Sequence, residues 1–176
     1  MIAQVQTEHP GLNVNLVSSD RVLKLEYGEA ALAFRIGAKP DHPDNVVIPA
    51  FTIDMGLYAS PEYIEVHGRP EAQDAFKAHR FVGPDKSAPR PPYFDWLEAH
   101  VPGNCVRLRC NNVVSTFEAV KAGLGIGFLP KKTAEELGWV QIIEPEPLWQ
   151  ETVWAVTHMD LHRSSKVQAI LSAVRS

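Results

Sequence analysis

The chain has 176 residues, 45% hydrophobic and 22% charged, with a formal net charge of -4. That length holds one domain or two small lobes, and that balance marks an ordered globular protein rather than a disordered one. The negative charge and scattered Lys and Arg argue against a surface that grips nucleic acid on its own.

No apolar stretch is long enough to span a bilayer, and MIAQVQTEHPG lacks both the cationic and the apolar part of a secretory signal. Cys105 and Cys110 suit a reducing cytosol, give no disulfide framework and read as buried or idle thiols.

The opening residues, Ile2 to Glu8, read as a helix stopped at Pro10-Gly11. Leu12, Val14 and Leu16 alternate with Asn13 and Asn15, which predicts a strand with one wet face. Ala30 to Ile36 is an apolar run ended by Gly37 and predicts a buried strand; a Pro- and Asp-rich loop from Lys39 to Asn45 follows. Phe51 to Ala59 reads as a further strand, and Ser60-Pro61 opens a short helix. Ala72, Ala75, Phe76 and His79 fall on one helix face. Gly83 to Pro92, with four prolines, reads as a loop, followed by a helix at Phe94 to His100 and a strand at Cys105 to Cys110.

The stretch VVSTFEAVKAGLGIGFLP carries the most information. Val113, Phe117, Val120 and Leu124 make an apolar stripe at helical spacing, Ser115 and Glu118 suit a capping box, and Gly123 suits a helix C-terminus. Ile126 to Leu129, halted by Pro130, reads as a buried strand. Because the helix precedes the glycines, Gly123, Gly125 and Gly127 lie at its C-terminal end, where the dipole repels phosphate, which argues against a nucleotide loop. Thr152 to Thr157 predicts a strand, and Ser164 to Val174 a closing helix with Val167, Ile170, Leu171 and Val174 toward the core. Strands alternating with helices imply parallel α/β layers.

Read together, these pieces resemble the effector-binding domain of LysR-type transcriptional regulators nearly end to end. HPGLNVNLV is similar to the helix exit and second strand of that family, and GEAALAFRIG to its following strand, with Ala31 where most relatives carry Asp. LYASPEYIEVHGRP and FKAHRFV are similar to the hinge strand, helix and next strand, CNNVVSTFEAVKAGLGIGFLP to the most recognisable segment, and WAVTHMDLHRSSKVQAILSAV to the closing strand and helix.

The resemblance implies an α/β fold of two Rossmann-like lobes joined by two crossing strands, as in type 2 periplasmic binding proteins. Lobe I would be 1–57 plus 150–176, incomplete at its N-terminus, and lobe II 58–149. It also implies a cytoplasmic, non-enzymatic module that forms a homodimer or higher homo-oligomer and binds a small effector between its lobes. DNA would be reached only through an N-terminal winged helix-turn-helix, which, with the domain's first strand, has no counterpart in this sequence. A periplasmic-type solute carrier and an enzyme on a similar fold are the rival readings.

In α/β sheets, ligands sit beyond the carboxyl ends of strands, near helix N-termini. Arg35, Ile36 and Gly37 end one predicted strand, and Asn111, Asn112 and Val113 lie between another strand and its helix. Helix N–H groups with Ser115 or Thr116 suit a carboxylate, which Arg35 would grip bidentately. The plainer alternative pairs Arg35 with a local Asp and leaves Asn112 as a helix cap. Gly83, Pro84 and Asp85 read either as a third wall or as a solvated connector.

His158 and His162 have i, i+4 spacing but fall across a strand end and a turn, which disfavours a metal. No Gly-x-Ser-x-Gly elbow appears, and Cys110 reads as packing rather than nucleophile. Trp96, Trp139, Trp149 and Trp154 read as packing groups. No cofactor is expected.

Overall fold

The computed structural model describes residues 2–19, 21–88 and 90–175, with the Arg175 side chain left aside. In chain order the elements are α1 (Ile2–Glu8), β1 (Ala33–Ile36), β2 (Asn45–Ala59), α2 (Pro61–His67), β3 (Phe81–Pro84), α3 (Pro92–His100), β4 (Val106–Cys110), α4 (Val113–Lys121), β5 (Gly127–Pro130), α5 (Lys131–Glu136), β6 (Val140–Gln141), β7 (Gln150–His158), α6 (Met159–His162) and α7 (Ser165–Arg175). The chain divides into two compact units, one of Met1–Thr52 with Thr152–Ser176, the other Ile53–Glu151. β2 and β7 are the strands that pass from one unit to the other.

In the first unit β1 pairs antiparallel with β7, with Arg35 opposite Trp154. Ala155 of β7 and Val167 and Leu171 of α7 form the buried core, with Leu32, Phe34, Ile48 and Ala50 packed around them. Of the stripe expected of the closing segment, Val167 and Leu171 reach this core, while Ile170 and Val174 are half-buried. Leu12 to Leu16 does not become a strand: Leu12 and Val14 are half-buried and the asparagines exposed, but nothing among the described residues pairs with them. Leu16 is 78% exposed and Val17 58%. Alternation selects a face only once a neighbouring strand supplies a hydrogen-bond ladder. β2 begins at Asn45 rather than Phe51, because Val46, Val47 and Ile48 already suit a strand.

In the second unit β2 pairs antiparallel with β5 and with β6, β3 pairs parallel with β4, and a parallel bridge between Phe81 and Ile126 links the two groups. The expected parallel layering therefore holds only for β3, β4 and the Ile126 bridge. Strand β2 enters from the other unit and supplies the antiparallel pairs.

Two cores cover the sheet's two faces. Met55, Leu57 and Ala59 join Tyr63, Phe76, Phe81, Tyr93, Leu97, Phe128 and Trp149 on one side. Tyr58, between them in sequence, joins Val82, Cys110, Ala119, Val120, Leu129 and Ala134 on the other. This is the two-residue alternation of a strand buried on both faces.

Local signals set the helix ends. Ser60 caps α2 by accepting from the Tyr63 N–H at 3.3 Å, with Pro61 in the first turn. The expected helix over Ala72 to His79 is a 3₁₀ turn at Gln73–Ala78, which still buries Phe76. At α4 the cap is Asn112, not Ser115: the Ser115 N–H donates to Asn112 Oδ1 at 2.9 Å. The helix ends in a Schellman motif, with Leu124 N–H on the Ala119 carbonyl, Gly123 N–H on that of Val120, and Gly123 at φ 69°. Its buried face is Thr116, Ala119 and Val120, while Val113 and Leu124 are 45% and 49% exposed. The stripe read from the sequence is rotated, because small residues let the helix approach the sheet. A Cβ on Gly127 would lie 2.8 Å from Val120 Cγ2.

Candidate functional site

Strands β3, β4 and β5 end in Pro84, Cys110 and Pro130, and the parallel pairing places the first two ends side by side, with Pro84 opposite Cys110. Helix α4 starts two residues beyond Cys110, so its N-terminal turn stands at the carboxyl edge of the second unit's sheet. Asn112 is extended at φ -147° and ψ 164°, its Oδ1 capping Ser115 and its amide donating to Asn111 Oδ1 at 3.0 Å. The Asn112 carbonyl accepts from both the Thr116 N–H and the Thr116 hydroxyl. Among the described residues no partner meets the Val113 and Val114 N–H groups, and these two donors point out of the helix start. Such a turn favours a negative group.

The neighbouring groups are largely committed. Asp85 closes its own turn, with Oδ1 accepting from the Ser87 N–H, the Ser87 hydroxyl and the Ala88 N–H. The Ser87 hydroxyl and N–H hold its carboxyl below the usual range. Arg109 donates to the Pro84 carbonyl at 3.0 Å. Cys110 is a buried free thiol whose pKa is pushed up by desolvation, partly offset by the Thr116 hydroxyl. Such a thiol is a poor nucleophile. Cys105 is also free and buried.

Gly83 and Pro84 lie inside β3 and are buried, so they are not the loop wall expected of them; only Asp85 reaches the turn. The reason is steric. A Cβ on Gly83 would come within 2.8 Å of Val106 Cγ1, so the glycine serves close packing of β3 on β4.

In the first unit Arg35 is half-buried at the end of β1, donating from Nη2 to the Leu23 carbonyl at 3.2 Å. No carboxylate among the described residues reaches it, so the expected alternative of a local Asp partner is not seen there. Ile36 is exposed, and Gly37 turns with φ 97°, its carbonyl accepting from Trp154 Nε1 at 2.8 Å. The Arg35 contact was not legible in the sequence, since a carbonyl acceptor leaves no residue signature.

The histidine pair is accounted for locally. His158 Nδ1 accepts from the Asp160 N–H, and His162 Nδ1 meets the Thr157 hydroxyl at 3.0 Å. Among the described residues no group of three His, Cys, Asp or Glu could hold a metal. The tryptophans pack: Trp149 lies in the aromatic cluster with Trp96 and Phe128, and Trp139 stacks on Phe117 at 5.2 Å.

The family description "LysR substrate binding domain" matches residues 1–176. The chain belongs to this family. LysR substrate-binding domains are effector-binding, non-enzymatic parts of transcriptional regulators, and all 176 residues fall within the match.

Over 81 residues, 46% of this chain, it is 32% identical to an HTH-type transcriptional regulator of Xanthomonas campestris pv. campestris (strain 8004). The matched part spans 23% of that regulator.

The fold is similar to the CrgA regulatory domain of Neisseria meningitidis, with TM-score 0.77, 17% identity, and coverage of 98% of this chain and 87% of that one. The AmpR effector domain of Pseudomonas aeruginosa gives 0.75 at 14% identity, covering 98% and 83%. The fold is thus the mixed α/β, type 2 periplasmic-binding-protein-like architecture of LysR effector domains. No helix of the described residues is long and apolar enough to cross a membrane.

Proposed function

We propose that this LysR substrate-binding domain senses a small organic anion, whose carboxylate is held by the N-terminal turn of α4, and that Arg35 is a separate effector-binding residue of the first unit. The observation that carries this reading is the pair of open N–H groups on Val113 and Val114 beyond the carboxyl ends of β3 and β4. On the first unit, the absence of a carboxylate partner for the Arg35 guanidinium among the described residues supports its own assignment. Asn111 and Asn112 frame the helix start, Ile36 and Gly37 flank Arg35, and Gly83 and Pro84 stay in the proposal as the strand end beneath, not as a loop wall.

In a full-length cytoplasmic regulator, effector uptake would bias DNA binding by a separate helix-turn-helix domain. The shift would be limited to the effector's differential affinity for the two states. Association into homodimers or higher homo-oligomers is part of the proposal, supported by exposed Leu16 and Val17.

Calorimetry with a panel of small carboxylates tests the site. Val113→Pro removes one open donor yet suits a first helical position after extended Asn112. It should weaken binding while leaving the melting temperature near that of the parent chain. Arg35→Ala should cost about tenfold or more in affinity, as expected for a charge-assisted hydrogen bond. Parent-like affinity in both variants would remove this site, and no binding by any carboxylate would remove the anionic class.

A further inference from the structure

We propose a second anion site in the second unit, for an organic carboxylate with an apolar body, at the amino ends of the strands and away from the N-terminal turn of α4. It is a cavity of about 410 Å³ lined by Arg80, Arg107, Leu108 and Leu124. Arg80 immediately precedes β3, and Leu124 follows the glycine that ends α4. The Arg80 main chain is pinned on both sides. Its N–H donates to the Tyr63 hydroxyl at 2.9 Å, and its carbonyl accepts from the Ile126 N–H at 2.9 Å. A Cβ on Gly125 would stand 2.8 Å from that carbonyl oxygen, so only glycine allows this approach. The backbone is held while the side chain stays exposed.

Arg107 reaches the cavity through an irregularity in β4. Phe81 pairs with Val106, yet Val82 pairs with Leu108, so Arg107 has no residue opposite it. The packing agrees: Val106 lies against the core of Phe81, whereas Leu108 lies against the core of Val82 on the other face. Residues two apart in a regular strand share a face, so the extra residue is a bulge, a device that re-aims side chains.

Two guanidiniums thus line one cavity, and among the described residues neither meets a carboxylate within ion-pair distance. A carboxylate entering the cavity fits a guanidinium bidentately. Leu108 and half-exposed Leu124 give the apolar body a surface to cover.

The test is calorimetric titration of the 176-residue chain with sodium octanoate, with inorganic phosphate as a head-only probe. Octanoate should bind at least about tenfold more tightly than phosphate, and Arg80→Gln and Arg107→Gln should each weaken it by about tenfold. Both side chains are exposed, so the variants should keep the parent's circular dichroism. Added salt should weaken binding, because the charges face solvent. Octanoate affinity unchanged in the double variant, or lost in Arg35→Ala instead, would overturn the site. Equal binding of phosphate and octanoate would overturn the apolar part. A change of oligomeric mass in Arg107→Gln, read by light scattering, would assign the face to a second copy of the chain and likewise overturn the proposal.

Discussion

The buried Tyr63 hydroxyl and His79 ring form, with the Arg80 backbone N–H, a small polar group under the second unit's core. The Tyr63 hydroxyl accepts the Arg80 N–H and lies 3.3 Å from His79 Nδ1, while the His67 ring sits 4.5 Å from the Tyr63 ring. Burial, helped by the nearby His67, holds the His79 pKa below its ordinary value of 6.5, because desolvation disfavours the charged imidazolium. The unfolded chain takes up a proton on this residue as pH falls through its ordinary pKa, whereas the folded chain resists. Stability from this group is therefore complete above that pKa and declines as pH drops below it, until the folded pKa is passed. Urea midpoints followed from about pH 8 to about pH 5 should fall less for His79→Gln than for the parent chain. Parallel curves would show that His79 contributes nothing to the acid sensitivity.

Helix α4 shows how capping and packing divide the work of making one element. Its two ends are local: the Asn112 side chain satisfies one orphan donor, and Gly123 adopts the left-handed conformation that releases two carbonyl acceptors to following N–H groups. Gly123→Ala meets open space on the Cβ side, so its penalty comes from φ alone. A loss of about 1 kcal/mol is expected, measured as a lower urea midpoint with unchanged slope. A neutral result would mean that the helix end relaxes into another closure. The buried face of α4, by contrast, follows from what it lies on. Gly127 removes a side chain from the sheet, and Thr116 and Val120 occupy that space.

Over the whole molecule the two units hold separate cores of different character. The first rests on aliphatic packing of α7 on β7. The second is built around Phe128, whose ring lies 5.1 Å from that of Tyr93 and 4.9 Å from that of Trp149, with Phe94 and Trp96 also in ring contact. Removing a ring from such a cluster loses transfer free energy and leaves a cavity. Phe128→Ala should therefore cost about 3–5 kcal/mol, read by urea unfolding with tryptophan fluorescence. A cost below about 1 kcal/mol would mean that neighbouring rings collapse into the space.

The sequence by itself carried the chain's family and the residues that set several helix ends. Ser60-Pro61, Asn112 and Gly123 act through dihedral preference and hydrogen bonds spanning only a few residues. The alternation in Met55 to Ala59 likewise carried its two faces in plain view, since both were to be buried. Tertiary structure alone decided which of these faces met a partner. Leu12 to Leu16 alternates as well as any strand in the chain, yet without a neighbour its backbone has no ladder to join. Gly83 and Pro84 look like loop residues, yet β4 draws them into a sheet that needs a missing side chain there. The unpaired Arg107 exists only relative to β3. Local signals need one segment, whereas burial, pairing and register need two, and the second is named by the fold.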